Sequence, residues 1–225
     1  MLVLAHRGDS HTYPENTLAA FQGAIDAGAD GIEFDVQSSS DGELIIFHDD
    51  TLERTTNGEG FLTAASFPEL RSLDAGSGEQ IPSLEEVLAL AGDRLLLDIE
   101  IKQPGVEQDV LRTLTSHPTS RWFISSFDWD SLRNCRAMNA TAELWPLAEE
   151  FSDDLYSVAE ELGAVGVALD WRLITADRMR EIRARHLKVA AWTVNDGSLA
   201  HSLKELGVST LITDDPRAMR DALRR

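Results

Sequence analysis

Residues 31–36 read Gly-Ile-Glu-Phe-Asp-Val, and residues 97–102 read Leu-Asp-Ile-Glu-Ile-Lys. Each stretch has the period of two that a β-strand imposes on its side chains, so Glu33 and Asp35 share one side while Ile32, Phe34 and Val36 take the other. Asp98, Glu100 and Lys102 repeat the device. Unpaired carboxylates inside a fold are costly, so a barrel interior keeps such rows only if something cationic sits among them. A hard divalent cation suits oxygen ligands, and with a single cysteine in the chain there is no thiolate cluster for zinc. Pairing with Lys or Arg, or a strand at a solvated edge, is the plain alternative for either stretch alone. Two such strands in one chain favour the metal.

Outward from these two strands, short and mostly apolar runs recur at Leu2 to His6, Leu44 to His48, Trp122 to Phe127, Glu143 to Leu147, Val165 to Asp170, Val189 to Val194 and Thr210 to Asp214. Near-continuous apolar character is that of strands covered on both faces. Helical segments lie between them. Asn16 or Thr17 can cap one that ends at Gly28, Ser83 and Glu86 form a capping box before another that stops at Gly92, and a later one ends at Gly207. The alternation predicts a (β/α)8 barrel, with an open doubly wound sheet as the alternative.

One strand is then surplus. The link from Val36 to Leu44 contains Asp41-Gly42 and is too short for a helical crossover, so the Leu44 strand is expected to return antiparallel as a β-hairpin at the barrel mouth. Residues 51–80 lack clear periodicity and read as a short loop-rich insertion at the mouth. With no linker or repeat in view, residues 1–225 are read as a single domain.

Composition narrows the partners. The 225 residues carry 20 Lys+Arg against 39 Asp+Glu, a formal net charge of −19. An acid excess of that size repels nucleic acid and anionic headgroups, so neither nucleic acid nor stable membrane association is expected, and a phosphate ligand needs a locally inverted field. Cys135 has no partner for a disulfide, and Leu2 to Ala5 is too short for a signal-peptide core. A cytoplasmic protein is the resulting expectation, and a homo-oligomer is compatible with it.

His6 and His48 end the first and third strand candidates beside the acidic rows. Histidine can give or take a proton near neutrality, so the two form a candidate acid/base pair. His11, His117, His186 and His201 fall on predicted loops or helices and are read as structural.

These residues stand in strings that resemble the glycerophosphodiester phosphodiesterase family: Ala5-His6-Arg7-Gly8, Pro14-Glu15-Asn16-Thr17, Glu33-Phe34-Asp35-Val36, His48-Asp49, Thr56-Asn57-Gly58, Ile99-Glu100-Ile101-Lys102, Trp192-Thr193-Val194-Asn195 and Thr213-Asp214-Asp215-Pro216. The set runs in order through essentially the whole chain. The resemblance implies a TIM barrel that hydrolyses glycerophosphodiesters, such as glycerophosphocholine and glycerophosphoethanolamine, to sn-glycerol 3-phosphate and an alcohol. It implies His6 and His48 as catalytic residues, and Glu33, Asp35 and Glu100 as ligands of a divalent ion (Mg²⁺, Ca²⁺ or Mn²⁺). Arg7 and Lys102 would contact the phosphate, and Trp192 would wall the pocket. Asp98 stands where the family often has Asn, which is expected to add negative charge beneath the ion. Three rivals remain from the sequence: a lysophospholipid as substrate, a non-catalytic phosphate-binding module, and an isomerase or aldolase on the same barrel.

Overall fold

In a computed structural model that describes residues 1–152 and 154–224, every one of these strand candidates forms a strand: β1 (Leu2–His6), β2 (Gly31–Ser38), β3 (Leu44–Ile46), β4 (Leu96–Ile101), β5 (Arg121–Ser126), β6 (Leu144–Ala148), β7 (Gly166–Asp170), β8 (Lys188–Trp192) and β9 (Thr210–Thr213). The sheet runs β1-β9-β8-β7-β6-β5-β4-β2-β3, and a further parallel β1–β2 pairing joins its ends. Eight parallel strands therefore close on themselves. The fold is a TIM barrel, not the open sheet. The remaining strand, β3, pairs antiparallel with β2 through Val36↔Ile46, Gln37↔Ile45 and Ser38↔Leu44, as the short link requires.

The helices are α1 (Leu18–Asp26), α2 (Phe67–Arg71), α3 (Leu84–Ala91), α4 (Glu107–Ser116), α5 (Trp129–Met138), α6 (Asp154–Glu161), α7 (Ala176–Ala184), α8 (Gly197–Leu206) and α9 (Pro216–Leu223). Of the two capping candidates for α1, Thr17 does the capping, its side chain accepting from the Ala20 amide. Ser83 and Glu86 close the expected box on α3, and Gly207 takes the left-handed conformation after α8. No helix among the described residues is long and apolar enough to cross a membrane.

The strand period sorts the core into two layers. Ile32, Phe34, Val36, Leu97, Ile99 and Ile101 face outward and pack with helix residues such as Phe21, Leu84 and Leu88. Inside the barrel, Leu4, Phe123, Trp145, Leu147, Ala168, Ala190 and Ile212 form an apolar plug. Gly166 makes room for it, since a Cβ there would meet the Trp145 ring at 2.6 Å. One step further along the same strands, at their C-terminal ends, the lumen turns polar.

Two expectations change. His48 does not end β3, which stops at Ile46; it lies two residues beyond, where the Gln37 amide of β2 donates to the carbonyls of Phe47 (3.0 Å), His48 (3.2 Å) and Asp49 (3.0 Å). The insertion also has more order than its sequence suggests. It contains α2 and a 3-10 turn at Leu62–Ala64, and Leu52, Leu62, Leu70 and Ala75 pack with Ile45, Phe47 and Ile81 into a small core of their own.

Candidate active site

The register brings the acidic rows together. Glu33 of β2 lies beside Asp98 of β4, Asp35 beside Glu100, and His6 of β1 beside Glu33. All four carboxylates are buried. Glu33, Asp35 and Glu100 each offer an oxygen within 4.8 Å of the other two. Glu33 and Glu100 line, with His6, Arg7, His48, Lys102 and Trp192, a cavity of about 290 Å³ at the C-terminal mouth of the barrel. All eight residues singled out in the sequence therefore converge; Asp35 lies among them although it does not itself line the cavity wall.

Burial raises the Glu33 carboxyl well above its ordinary pKa, with repulsion from Asp35, Glu100 and Asp98 adding to it. Burial also pushes Glu100 up to about 7, with repulsion from Asp35 added and the Lys102 ammonium opposing. Lys102 donates to Glu100 at 2.8 Å and lies 3.8 Å from Asp35 Oδ1. Even so, Asp35 Oδ1 is buried without a hydrogen-bond partner. An acceptor left over among three close carboxylates, all hard oxygen donors, is the arrangement a divalent cation fits. Burial pushes the neighbouring Asp98 carboxyl up to about 8 against a 2.6 Å hydrogen bond from Ser125, with repulsion from Glu100 and Asp35 adding to the rise.

Arg7 reaches the cluster through an unusual backbone. Its φ is +56°, Gly8 follows at +84°, and a Cβ on Gly8 would lie 2.6 Å from the Ala20 backbone, so the tight passage onto α1 needs that glycine. The Arg7 amide donates to the Glu33 carbonyl at 2.9 Å and to Glu33 Oε2 at 3.1 Å. Its Nε sits 3.4 Å from Asp35 Oδ2 but makes no hydrogen bond, leaving a buried donor directed into the site. The next motif serves the same centre. Glu15 accepts from Arg7 Nη1 at 2.8 Å, and Asn16, in the left-handed conformation that asparagine tolerates, donates to Asp35 Oδ2 at 2.8 Å.

Both histidines are held in the same way. His6 Nδ1 lies 2.7 Å from Asp214 Oδ1, and His48 Nδ1 lies 2.6 Å from Asp49 Oδ1. Burial raises the Asp214 pKa, but the His6 contact and donors from Asn195 and Ser10 outweigh it and hold the carboxyl below its usual range. Asp49 is likewise held low, first by the hydrogen bond from Arg54. An ionised carboxylate only accepts, so each Nδ1 carries the proton and each Nε2 is left for the cavity. Burial lowers the His48 pKa despite Asp35 and Asp49, so near pH 7 its Nε2 is an acceptor.

The aromatic wall is Trp192 with Phe127, edge to face at a centroid separation of 5.5 Å, and Lys102 Nζ stands 5.8 Å from the Phe127 centroid. Trp192 Nε1 is buried without a partner. Among the tryptophans that a lipid-facing mouth would use, Trp145 is in the plug and Trp129 donates to the Leu147 carbonyl; Trp171 is exposed. The sequence by itself gives no role to Glu15, Gln37, Asp49, Arg54, Asn195 or Asp214, and it offers Asn16 only as a helix cap. Most of them stand in the quoted motif strings, and that was the available signal.

Glu15 gives a stability prediction. Burial alone would raise its pKa, but Arg54 and Arg7 bring it down to about 2 from an ordinary 4.5. A carboxyl depressed in the folded state stabilises it above the unfolded pKa and loses that contribution as pH falls toward 2. At one pK unit per about 1.4 kcal/mol the contribution is at most about 3.5 kcal/mol. Wild type is expected to melt above Glu15→Gln at pH 7, with the gap closing below about pH 4; a gap constant from pH 7 to pH 3 would contradict the ion pairing.

The model of the glycerophosphoryl diester phosphodiesterase family matches residues 6–218. A glycerophosphodiester phosphodiesterase of Caldanaerobacter subterraneus subsp. tengcongensis is 37% identical, the alignment covering 100% of this chain and 98% of that protein. One of Bacillus subtilis is 31% identical over 96% of this chain and 84% of that protein. Among solved structures, an Oleispira antarctica phosphodiesterase in complex with the product sn-glycerol 3-phosphate superposes with a TM-score of 0.95 at 31% identity, covering 100% of this chain and 97% of that one. Carboxylates, two carboxylate-held histidines and two cations thus gather at the C-terminal face, where TIM-barrel enzymes keep their active sites. The chain belongs to the glycerophosphoryl diester phosphodiesterase family, whose enzymes hydrolyse glycerophosphodiesters, and shares that activity.

Proposed function

We propose that the enzyme releases sn-glycerol 3-phosphate and an alcohol from small diesters such as glycerophosphocholine and glycerophosphoethanolamine, with His6 and His48 as the proton-transfer pair. The observation that carries this reading is the convergence of two carboxylate-held imidazoles on one cavity with three metal-competent carboxylates. Glu33, Asp35 and Glu100 would hold a divalent ion, Mg²⁺, Ca²⁺ or Mn²⁺. Such an ion supplies Lewis-acid polarisation and charge neutralisation for a phosphoryl group.

The chain's own groups do the rest. A phosphodiester is an anion that resists attack, so the site must neutralise it, align an attacking hydroxyl and protonate the departing oxygen. Arg7, anchored by Glu15 and with its Nε free of hydrogen bonds, offers donors to the phosphate oxygens. Lys102 adds a second cation beside it. One histidine Nε2 takes the proton of the attacking hydroxyl, and the other gives a proton to the leaving oxygen. His48, whose pKa burial lowers, suits the accepting role. Trp192 and Phe127 form an apolar wall for carbon-bearing parts of the substrate.

The charge of −19, with Trp145 in the barrel plug and Trp129 bonded to the Leu147 carbonyl, supports a small soluble diester over a lysophospholipid, and the lone buried Cys135 is in keeping with action in the cytoplasm. The test compares glycerophosphocholine and glycerophosphoethanolamine with lysophosphatidylcholine under identical conditions. Turnover of the two small diesters well above that of the lysolipid is expected. A preference for lysophosphatidylcholine would overturn the substrate assignment.

A further inference from the structure

Arg54 belongs to the insertion, not to the barrel, and its guanidinium is divided between two carboxylates. Nε and Nη2 donate to Asp49 at 2.5 and 2.8 Å, while Nη1 and Nη2 donate to Glu15 at 2.8 and 2.7 Å. Each acceptor is already committed to a site residue. Asp49 Oδ1 is 2.6 Å from His48 Nδ1, and Glu15 Oε1 takes Arg7 Nη1 at 2.8 Å. The chain of contacts His48–Asp49–Arg54–Glu15–Arg7 is therefore unbroken.

We propose that Arg54 is a positioning residue that fixes His48 and Arg7 relative to each other, by clamping the carboxylates that orient them. A guanidinium presents rigid donors on more than one edge, so it can hold two carboxylates in a fixed relation where a single ammonium cannot. Without it, Asp49 and Glu15 are like charges with one fewer restraint, and each is free to turn away with the group it holds. Misplacement by about 1 Å at a reacting group is enough to cost about 10²-fold in rate.

The insertion fixes Arg54 in turn. The Leu52 amide donates to the Gly60 carbonyl at 3.0 Å, the Thr56 hydroxyl donates to the Leu52 carbonyl at 2.7 Å, and the Leu52 side chain is buried in the insertion's own core. Its packing is thus transmitted to two groups at the cavity. This gives the insertion a task in the reaction, beyond covering the mouth.

The inference rests on the proposed roles of His48 and Arg7, and the variants separate the two. Steady-state kinetics with glycerophosphocholine are measured for Arg54→Met, Arg54→Lys, Asp49→Asn, Asp49→Asn/Arg54→Met and His48→Ala, each with a thermal melt. For Arg54→Met, kcat is expected to fall at least about tenfold and KM to rise, since His48 and Arg7 both lose an anchor. Arg54→Lys keeps the charge but not the fork, and its kcat is expected to stay at least about fivefold low. The Asp49→Asn/Arg54→Met double variant is expected within about twofold of the weaker single variant, as for residues acting through one another.

Should Arg54→Met unfold, Arg54→Lys and Asp49→Asn still decide the matter. Wild-type kcat in Arg54→Met or Arg54→Lys, or losses that multiply in the double variant, would overturn the inference. If His48→Ala is inactive while Arg54→Met keeps wild-type kcat, the positioning role alone fails. An active His48→Ala removes the reading beneath it.

Discussion

Replacing His6 or His48 with alanine is expected to lower kcat for glycerophosphocholine by about 10²- to 10⁴-fold, the range typical of losing a positioned acid or base. The structure makes the two losses parallel. Each ring gives its Nδ1 to a carboxylate, Asp214 for His6 and Asp49 for His48, and each leaves Nε2 for the cavity. Neither ring is part of the apolar plug, so the substitutions should reduce turnover without unfolding the barrel. The melting temperature is therefore the control, expected to stay within a few degrees of wild type. Near-wild-type kcat in both variants would refute the acid/base assignment, whatever happened to KM. Because the proposed roles place the two histidines at different oxygens of one reaction, the double variant should retain only the background set by binding and charge neutralisation, not the product of the two single losses.

The second large effect concerns Asp35. It is fully buried, takes the Asn16 amide at 2.8 Å on Oδ2, and keeps Oδ1 without a hydrogen-bond partner. Asp35→Asn preserves volume but puts an amide among Glu33 and Glu100 and removes one anionic ligand. Metal binding, read by calorimetry with Mn²⁺, is expected to weaken by more than about 100-fold, beyond the loss typical of an outer-shell partner, and kcat should fall in step. The direct binding measurement is decisive because it does not depend on turnover. If Asp35→Asn binds Mn²⁺ as tightly as wild type, the ion sits elsewhere or the carboxylates serve only to hold Arg7 and Lys102. Those two cations are the competing explanation, for Lys102 already lies 2.8 Å from Glu100.

Much of this centre is legible in the sequence, for a simple reason. Strand periodicity converts Glu33, Asp35, Asp98 and Glu100 from four acids into one polar side of two strands, and the parallel β2–β4 register sets them in rows. What periodicity cannot show is contact between segments. Arg54 is 39 residues from Glu15 and lies in a stretch with no repeating pattern, so their pairing follows only from the folded insertion. Gln37 reads as an ordinary polar residue of β2 until its amide is seen holding the loop that bears His48. α2 escapes because it has only five residues, too few for a helical period. α9 opens at Pro216 behind the Asp215 cap, a good start signal, but its arginines leave a thin apolar stripe. Asp98 shows the converse limit. Its identity suggests added charge, and only its burial shows that its pKa is pushed up, to about 8.

The acid excess of the sequence also takes on a more local meaning. Glu33, Asp35 and Glu100 contribute to the −19, yet under the proposed function they would form, with Arg7, Lys102 and a divalent ion, a local region that accepts a phosphate. The central claim is that this region is a metal-dependent diesterase site. Its most direct measurement is sn-glycerol 3-phosphate release from glycerophosphocholine and glycerophosphoethanolamine, before and after EDTA, with Mg²⁺, Mn²⁺ or Ca²⁺ then added back. The account predicts release that EDTA abolishes and at least one of the three ions restores. Undiminished release after exhaustive removal of metal would contradict it.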